Sequence, residues 1–269
     1  MYGSNSSDWA SKFADRMALR WFPEDYLEAA PAAALQDGPL LSCDIAKIVL
    51  RQGLDAYDYA MFQDVLHEHG AINERFQFWT DASCPSGPTS SCVHSAVAVV
   101  VRADSEEVKF DTTTEVVAAE LLPPPHIELM GIRKALVDFL RRCEEYSEPG
   151  ISREDLSARL PWTTLEGFCD CYEELQQLAV WPAEPVDCGL SRAHGQLLTE
   201  VVELLKRVSD LGVEVLIHWV PGHTGVPGNE KADKESGRAA AKADDAAIMA
   251  RVKDTDFRAL FASKRESSS

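Results

Sequence analysis

Five residues with chemically useful side chains fall where predicted strands end or predicted helices begin. Asp81 ends an alternating, aromatic-rich segment, and Glu128 lies near the start of a long amphipathic segment that follows three prolines. Asp170 ends a shorter strand-like segment, and His223 and Asp233 lie on either side of the tripeptide GNE. Because strand ends and helix starts meet at one edge of a mixed sheet, these side chains are expected to share a crevice.

Converging carboxylates allow one kind of chemistry above others, the binding of divalent cations. The four acidic side chains would repel one another unless cations held them together. Oxygen ligands with a few open positions suit Mg²⁺ or Mn²⁺, which keep water molecules and bind substrate phosphates. Two such ions can activate a water molecule and stabilise the leaving oxygen of a phosphodiester. The pattern therefore predicts a metal-dependent phosphodiester hydrolase.

The elements that must position these residues can be predicted from the periodicity of apolar residues. Three strand patterns, FQFWTD, VHSAVAVVVRA and EEVKFDTTTEV, follow one another and indicate an antiparallel meander. Helical and strand patterns then alternate, which gives the order β-β-β-α-β-α-α-β-α. We expect an α/β fold with a mixed five-stranded sheet, three antiparallel strands and then two parallel ones, and helices on both faces.

The chain divides into three predicted parts. Residues 1–72 mix helical patterns with an Ala/Pro-rich stretch and are expected to form a helical or linker extension. Residues 73–243 are expected to form the domain that carries all five candidate residues, with an irregular insertion at about 147–164. Residues 244–269 are expected to form a C-terminal helix and a polar tail.

Charge and cysteine content narrow the class of protein. A formal net charge of −18 disfavours tight, nonspecific binding of nucleic acid, but it is compatible with an acidic site that holds metal ions. The seven cysteines form no disulfide framework, which favours a reduced protein of the cytoplasm or nucleus. The sequence shows no signal-peptide pattern and no bilayer-length apolar run, so we expect no membrane partner.

Four segments resemble, in order, the motif blocks of type 1 ribonuclease H: FWTDAS, IELMGIRKAL, FCDCYEELQQL and WVPGHTGVPGNEKAD. The last segment is the most specific, and it is similar to versions found in non-LTR retrotransposon reverse transcriptases. The resemblance covers about residues 75–243. It implies a ribonuclease H-like fold, cleavage of the RNA strand of RNA–DNA hybrids with two Mg²⁺ ions (Mn²⁺ as a substitute), and a retroelement or reverse transcriptase context.

The resemblance also implies a role for each site residue. His223, on a mobile loop, would assist proton transfer and product release, for which the imidazole pKa range is suitable. Ser83 would contact the RNA, whose 2′-hydroxyls distinguish it from DNA. Asn229 would belong to the substrate-binding set and, with Glu230, would brace the loop and the following helix. The metal ligands would be Asp81, Glu128, Asp170 and Asp233.

Some alternatives stay open at the level of sequence. Asp187 competes with Asp170 as the third acidic ligand, and we favour Asp170 because a helix follows it directly. Cys169 and Cys171 are expected to be packing residues. A catalytically inactive module of the same fold, which binds nucleic acid or protein, is the alternative function. A nuclease acting on structured DNA junctions is a third, less favoured one.

Overall fold

The computed structural model describes residues 45–51, 53–68, 74–84, 94–102, 110–117, 122–181 and 192–266. Its strands are β1 (Lys47–Val49), β2 (Arg75–Ser83), β3 (Ser95–Arg102), β4 (Phe110–Val117), β5 (Thr164–Cys169) and β6 (Glu214–Trp219). They form one mixed sheet with the order β1-β6-β5-β2-β3-β4. Strands β2, β3 and β4 are antiparallel, and β1, β6, β5 and β2 are parallel. The predicted mixed α/β sheet is confirmed, with six strands in place of five.

Helices cover both faces of this sheet, as predicted. They are α1 (Gly53–Glu68), α2 (Pro124–Glu144), α3 (Arg153–Arg159), α4 (Tyr172–Val180), α5 (Arg192–Asp210) and α6 (Pro227–Glu266). Helices α2, α4 and α5 share one hydrophobic core with the sheet, and α1 and α6 pack on the opposite face. The short helix α3 lies in the predicted insertion, and α6 is one continuous helix across residue 244. Within the described residues, no helix combines the length and apolar character needed to cross a membrane.

The additional strand, β1, comes from a segment whose pattern predicted a helix, and that prediction was wrong. Ile48 pairs with Ile217 of β6 and is fully buried. β-branched residues suit a half-buried sheet surface, and pairing with β6 outweighs the local helical period. Helix α1 then places Tyr57 and Ala60 against the sheet. The sheet thus begins before residue 73, the predicted domain start; the predictions for residues 1–44 and 267–269 lie outside the described residues.

Strand β2 lies in the middle of the sheet and determines where the candidate site forms. Phe78 contributes to the core under α2, and Trp79 stacks on Phe168 of β5 on the α6 side, with ring centroids 5.1 Å apart. A Cβ atom at Gly228 would overlap the indole of Trp79, so glycine lets the start of α6 approach the sheet closely. This contact brings the first turns of α6 to the end of β2, where Asp81 lies.

Candidate active site

The four predicted carboxylates come together at one edge of the sheet. Thr80 of β2 lies opposite Cys169 of the parallel strand β5. The next residue after each of them is an acid, so Asp81 and Asp170 lie at the same edge of the sheet. Glu128 reaches this edge from α2. Asp233 approaches from α6, close enough for its charge to act on Asp81.

Burial, with repulsion from neighbouring acids, shifts the pKa values of three of these groups upwards. Burial, then the charge of Asp170 and that of Asp233, raise the pKa of Asp81 to about 8, against an ordinary value of 3.8. Burial, then the charges of Asp170 and Asp81, raise the pKa of Glu128 well above its usual range. Burial also raises the pKa of Asp170. Carboxylates that oppose one another's ionisation are the groups that a bound cation would stabilise in their charged form.

Glu128 supplies a direct test of whether this site fits a metal ion. Its Oε2 atom is buried and has no hydrogen-bond partner among the described residues. A buried acceptor without a donor is costly unless something else satisfies it. One ligand atom each from Glu128, Cys169 and Asp170 lies within 4.8 Å of the other two. The donor set and the unsatisfied oxygen both fit a divalent cation.

Asp170 is held in place from three sides. Asn229 Nδ2 donates a hydrogen bond to Asp170 Oδ2 at 3.1 Å, and Trp219 Nε1 donates one to the Asp170 carbonyl oxygen at 3.0 Å. A Cβ atom at Gly222 would lie 2.5 Å from Asp170 Oδ2, so this glycine gives the carboxylate its room. The rival acid, Asp187, lies outside the described residues.

The structure places Asn229 against Asp170. The residue is only 1% exposed, and its side chain donates to the Asp170 carboxylate, while its place in the substrate-binding set stays a prediction. Helix α6 begins at Pro227, which places Asn229 in the first turn of the helix. The observed contact makes Asn229 a residue that positions Asp170. The predicted RNA contact of Ser83, which is half-buried at the end of β2, stays a prediction.

The loop before α6 carries His223 in an unusual conformation. Its backbone has φ 53°, a left-handed value that costs a non-glycine residue conformational energy. His223 Nδ1 lies 3.6 Å from Asp233 Oδ2, and the two side chains are 68% and 43% exposed. Glu230 Oε1 accepts a hydrogen bond from the Gly225 N–H at 2.9 Å, which links the loop to the start of α6. The imidazole is therefore accessible at the outer side of the buried acids.

Sequence reasoning missed Ser236, which is fully buried beside the site. Its Oγ donates a hydrogen bond to Asp81 Oδ2 at 2.8 Å and lies 2.9 Å from the carbonyl oxygen of Asp233. This hydrogen bond lowers the pKa of Asp81 and partly offsets the effect of burial. A signal was present, because a residue three positions after Asp233 lies on the same side of a helix.

A second buried polar cluster lies under α1 on the other face of β5. Glu166 is completely buried and accepts hydrogen bonds from Tyr59 Oη at 2.5 Å and from Gln77 Nε2 at 2.9 Å. His218 Nε2 lies 3.2 Å from Glu166 Oε1. Burial alone would raise the pKa of Glu166, but its interactions with His218, Tyr59 and Gln77 together lower it to about 2. His218, expected to be structural, belongs to this cluster.

The fold and these side chains define a mixed α/β protein with an acidic crevice suited to divalent cations. No protein-family profile matches the sequence, and no curated protein matches it. Among solved structures, the chain is similar to LC9-RNase H1, described as a type 1 RNase H with the type 2 active-site motif. The identity is 16% and the TM-score 0.45, over 63% of this chain and 74% of that one.

A second similar structure is the N-terminal RNase H domain of Rv2228c from Mycobacterium tuberculosis, solved as a fusion with maltose-binding protein. The identity is 14% and the TM-score 0.38, over 62% of this chain and 98% of the other. Both similarities are distant. The functional proposal therefore depends on the residues of the crevice.

Proposed function

We propose that this protein is a metal-dependent endonuclease that hydrolyses the RNA strand of RNA–DNA hybrids. The observation that carries the proposal is the convergence of four carboxylates from β2, α2, the end of β5 and α6, three of which, Asp81, Glu128 and Asp170, have raised pKa values. This set holds Mg²⁺, or Mn²⁺ in its place, because both prefer oxygen ligands and bind phosphate oxygens. Bound there, the ions supply an activated water molecule and neutralise charge that develops on the phosphate. The ligands are Asp81, Glu128, Asp170 and Asp233.

The remaining residues of the crevice orient these ligands and handle protons. Ser236 holds Asp81, and Asn229 holds Asp170, so two ligands keep fixed directions before any cation arrives. His223 is exposed beside Asp233 and carries a proton to or from the reacting phosphate. Ser83, half-buried at the end of β2, would contact the RNA strand through a 2′-hydroxyl.

The choice of an RNA–DNA hybrid as substrate depends on the resemblance of the loop and helix around His223 to type 1 ribonuclease H. The same resemblance supports a retroelement origin and a reverse transcriptase context. The alternative is an inactive binding module, in which a misplaced Asp170 would weaken metal affinity. The hydrogen bond from Asn229 and the coupling of Asp170 to Asp81 favour the active enzyme.

The test is cleavage of a hybrid in which the two strands carry different labels, in Mg²⁺ and then in Mn²⁺. We expect the RNA strand alone to be cut, and Asp81→Asn and Asp233→Asn to lose this activity while remaining folded. Glu203→Gln, which changes an exposed acid on α5, is the matched control and should cleave normally. A folded wild-type protein that cleaves neither strand with either metal would refute the proposal. An Asp81→Asn variant that cleaves as efficiently as the wild type would also refute it.

A further inference from the structure

Cys169 lies among the acidic ligands without a role in the proposed reaction. It is the last residue of β5, it is fully buried, and its side chain shares the core under α2. Its Sγ atom, one oxygen of Glu128 and one oxygen of Asp170 are mutually within 4.8 Å. The three ligand atoms of one tetrahedral zinc ion lie roughly 3.5 Å apart, so small side-chain adjustments would bring this set onto a single ion.

A second observation points to a ligand at the same place. Glu128 Oε2 is buried and has no hydrogen-bond partner among the described residues. A thiol is a weak hydrogen-bond donor and is a poor substitute for the missing partner. Glu128, the residue with the unsatisfied oxygen, is also the residue that Cys169 approaches. A cation bound by both Glu128 and Cys169 would satisfy that oxygen.

The donor set determines which cation this would be. Mg²⁺ prefers oxygen ligands, so it does not use the sulfur. A thiolate with two carboxylates suits a softer ion such as Zn²⁺, which takes three protein ligands and leaves a fourth position open. On binding, the Cys169 S–H bond breaks, its proton passes to water and an S–metal bond forms.

We propose that Glu128, Cys169 and Asp170 form a site for a thiophilic divalent cation, with Zn²⁺ as the natural occupant, which competes with Mg²⁺ for the two carboxylates. The inference rests on the proposed function, because it concerns regulation of the same crevice. Zn²⁺ in this site removes two oxygen ligands from the Mg²⁺ set and lowers nuclease activity.

The test uses the full chain without nucleic acid and Cd²⁺ as the probe, since a thiolate–cadmium bond gives an ultraviolet charge-transfer band. We expect the wild type to show the band, and excess Mg²⁺ to suppress the part of it that comes from this site. Cys169→Ser and Cys169→Ala should lose that Mg²⁺-sensitive part. Glu128→Gln should bind Cd²⁺ at least roughly tenfold more weakly than the wild type. Cys143→Ala, which removes a buried thiol at the far end of α2, is the control and should retain that part. Thermal unfolding establishes that each variant is folded.

An Mg²⁺-sensitive band that persists in both Cys169 variants, or that Cys143→Ala loses equally, would overturn the inference. The spectrum needs no catalysis, so the two proposals can fail separately. A Cys169-dependent band in a protein that cleaves no hybrid would retain the cation site and reject the nuclease. Hybrid cleavage without such a band would retain the nuclease and reject the cation site.

Discussion

Replacing Asp81 by asparagine should stabilise the metal-free protein although it should abolish cleavage. The side chain is buried against Asp170 and Asp233, and burial together with the charges of these two acids raises its pKa to about 8. In the folded protein this carboxyl therefore resists ionisation, whereas in the unfolded chain it ionises freely. Asparagine has nearly the same shape and carries no charge, so the variant removes the conflict and keeps an oxygen that can accept the hydrogen bond from Ser236.

The size of the effect follows from the two pKa values. At about pH 7 the unfolded carboxyl is ionised, and the roughly three pH units above its ordinary pKa of 3.8 correspond to about 4 kcal/mol. The hydrogen bond from Ser236 is weaker when it goes to an uncharged oxygen, which reduces this gain in stability by about 1 kcal/mol. The variant should gain about 3 kcal/mol in the free energy of unfolding, which for a domain of this size corresponds to a rise in Tm of roughly 6–12 °C.

The dependence on pH has a definite sign. Because the folded pKa of Asp81 lies above the unfolded one, its contribution to stability is fully present below about pH 4 and is lost as the pH rises through about 8. Asp81→Asn has no carboxyl at this position, so it does not lose this stability as the pH rises. The difference in Tm between Asp81→Asn and wild type should therefore be small near pH 4 and largest near pH 8. Saturating Mg²⁺ should narrow the difference, because it binds the folded wild type more tightly than the variant.

The assay is thermal or urea unfolding in a chelator across this pH range, with Glu203→Gln as the neutral control. A wild type that is more stable than Asp81→Asn near pH 8 would contradict the reasoning. A stability difference that does not change with pH would contradict it too, since repulsion among ionised carboxylates would then not be its source.

Three further predictions concern residues around the site. Gly222→Ala should push aside the Asp170 carboxylate, because the new Cβ would lie 2.5 Å from Oδ2, and calorimetry should show Mn²⁺ affinity reduced about tenfold or more. His223→Ala should lower kcat by about 100-fold while the free energy of unfolding stays within about 0.5 kcal/mol, since the side chain is exposed; an unchanged kcat would remove His223 from the mechanism. Glu166→Gln should destabilise the fold by about 3 kcal/mol near neutral pH, and this cost should shrink as the pH falls towards about 2, which urea titrations can measure.

Sequence predicted the acids of the site better than it predicted the residues that hold them. Asp81 and Asp170 could be placed because each ends a recognisable strand pattern, and neighbouring parallel strands end at the same edge of a sheet. In the structure β2 continues two residues past Asp81, to Ser83. Gly222 acts through the absence of a side chain, which leaves no mark in composition or periodicity. Ser236 acts through one hydrogen bond, and its spacing from Asp233 shows only that it lies on the same side of the helix. Strand β1 was missed for a related reason, since its conformation is decided by pairing with residues far away in the chain.

Two acids of the β5 region show what separates a structural carboxylate from a functional one. Glu166 has hydrogen-bond donors and positive charges around it, and its pKa falls to about 2. Asp170, four residues later, follows the same strand, and burial raises its pKa. Its interactions with Asn229 and His223 offset burial only in part, and the charge of Asp233 adds to the rise. Burial is common to both, so the partners decide the outcome. The protein has already satisfied the charge of Glu166 from within, whereas the acids at the edge of the sheet keep raised pKa values despite their protein donors, as expected of groups that the proposed metal ions would neutralise.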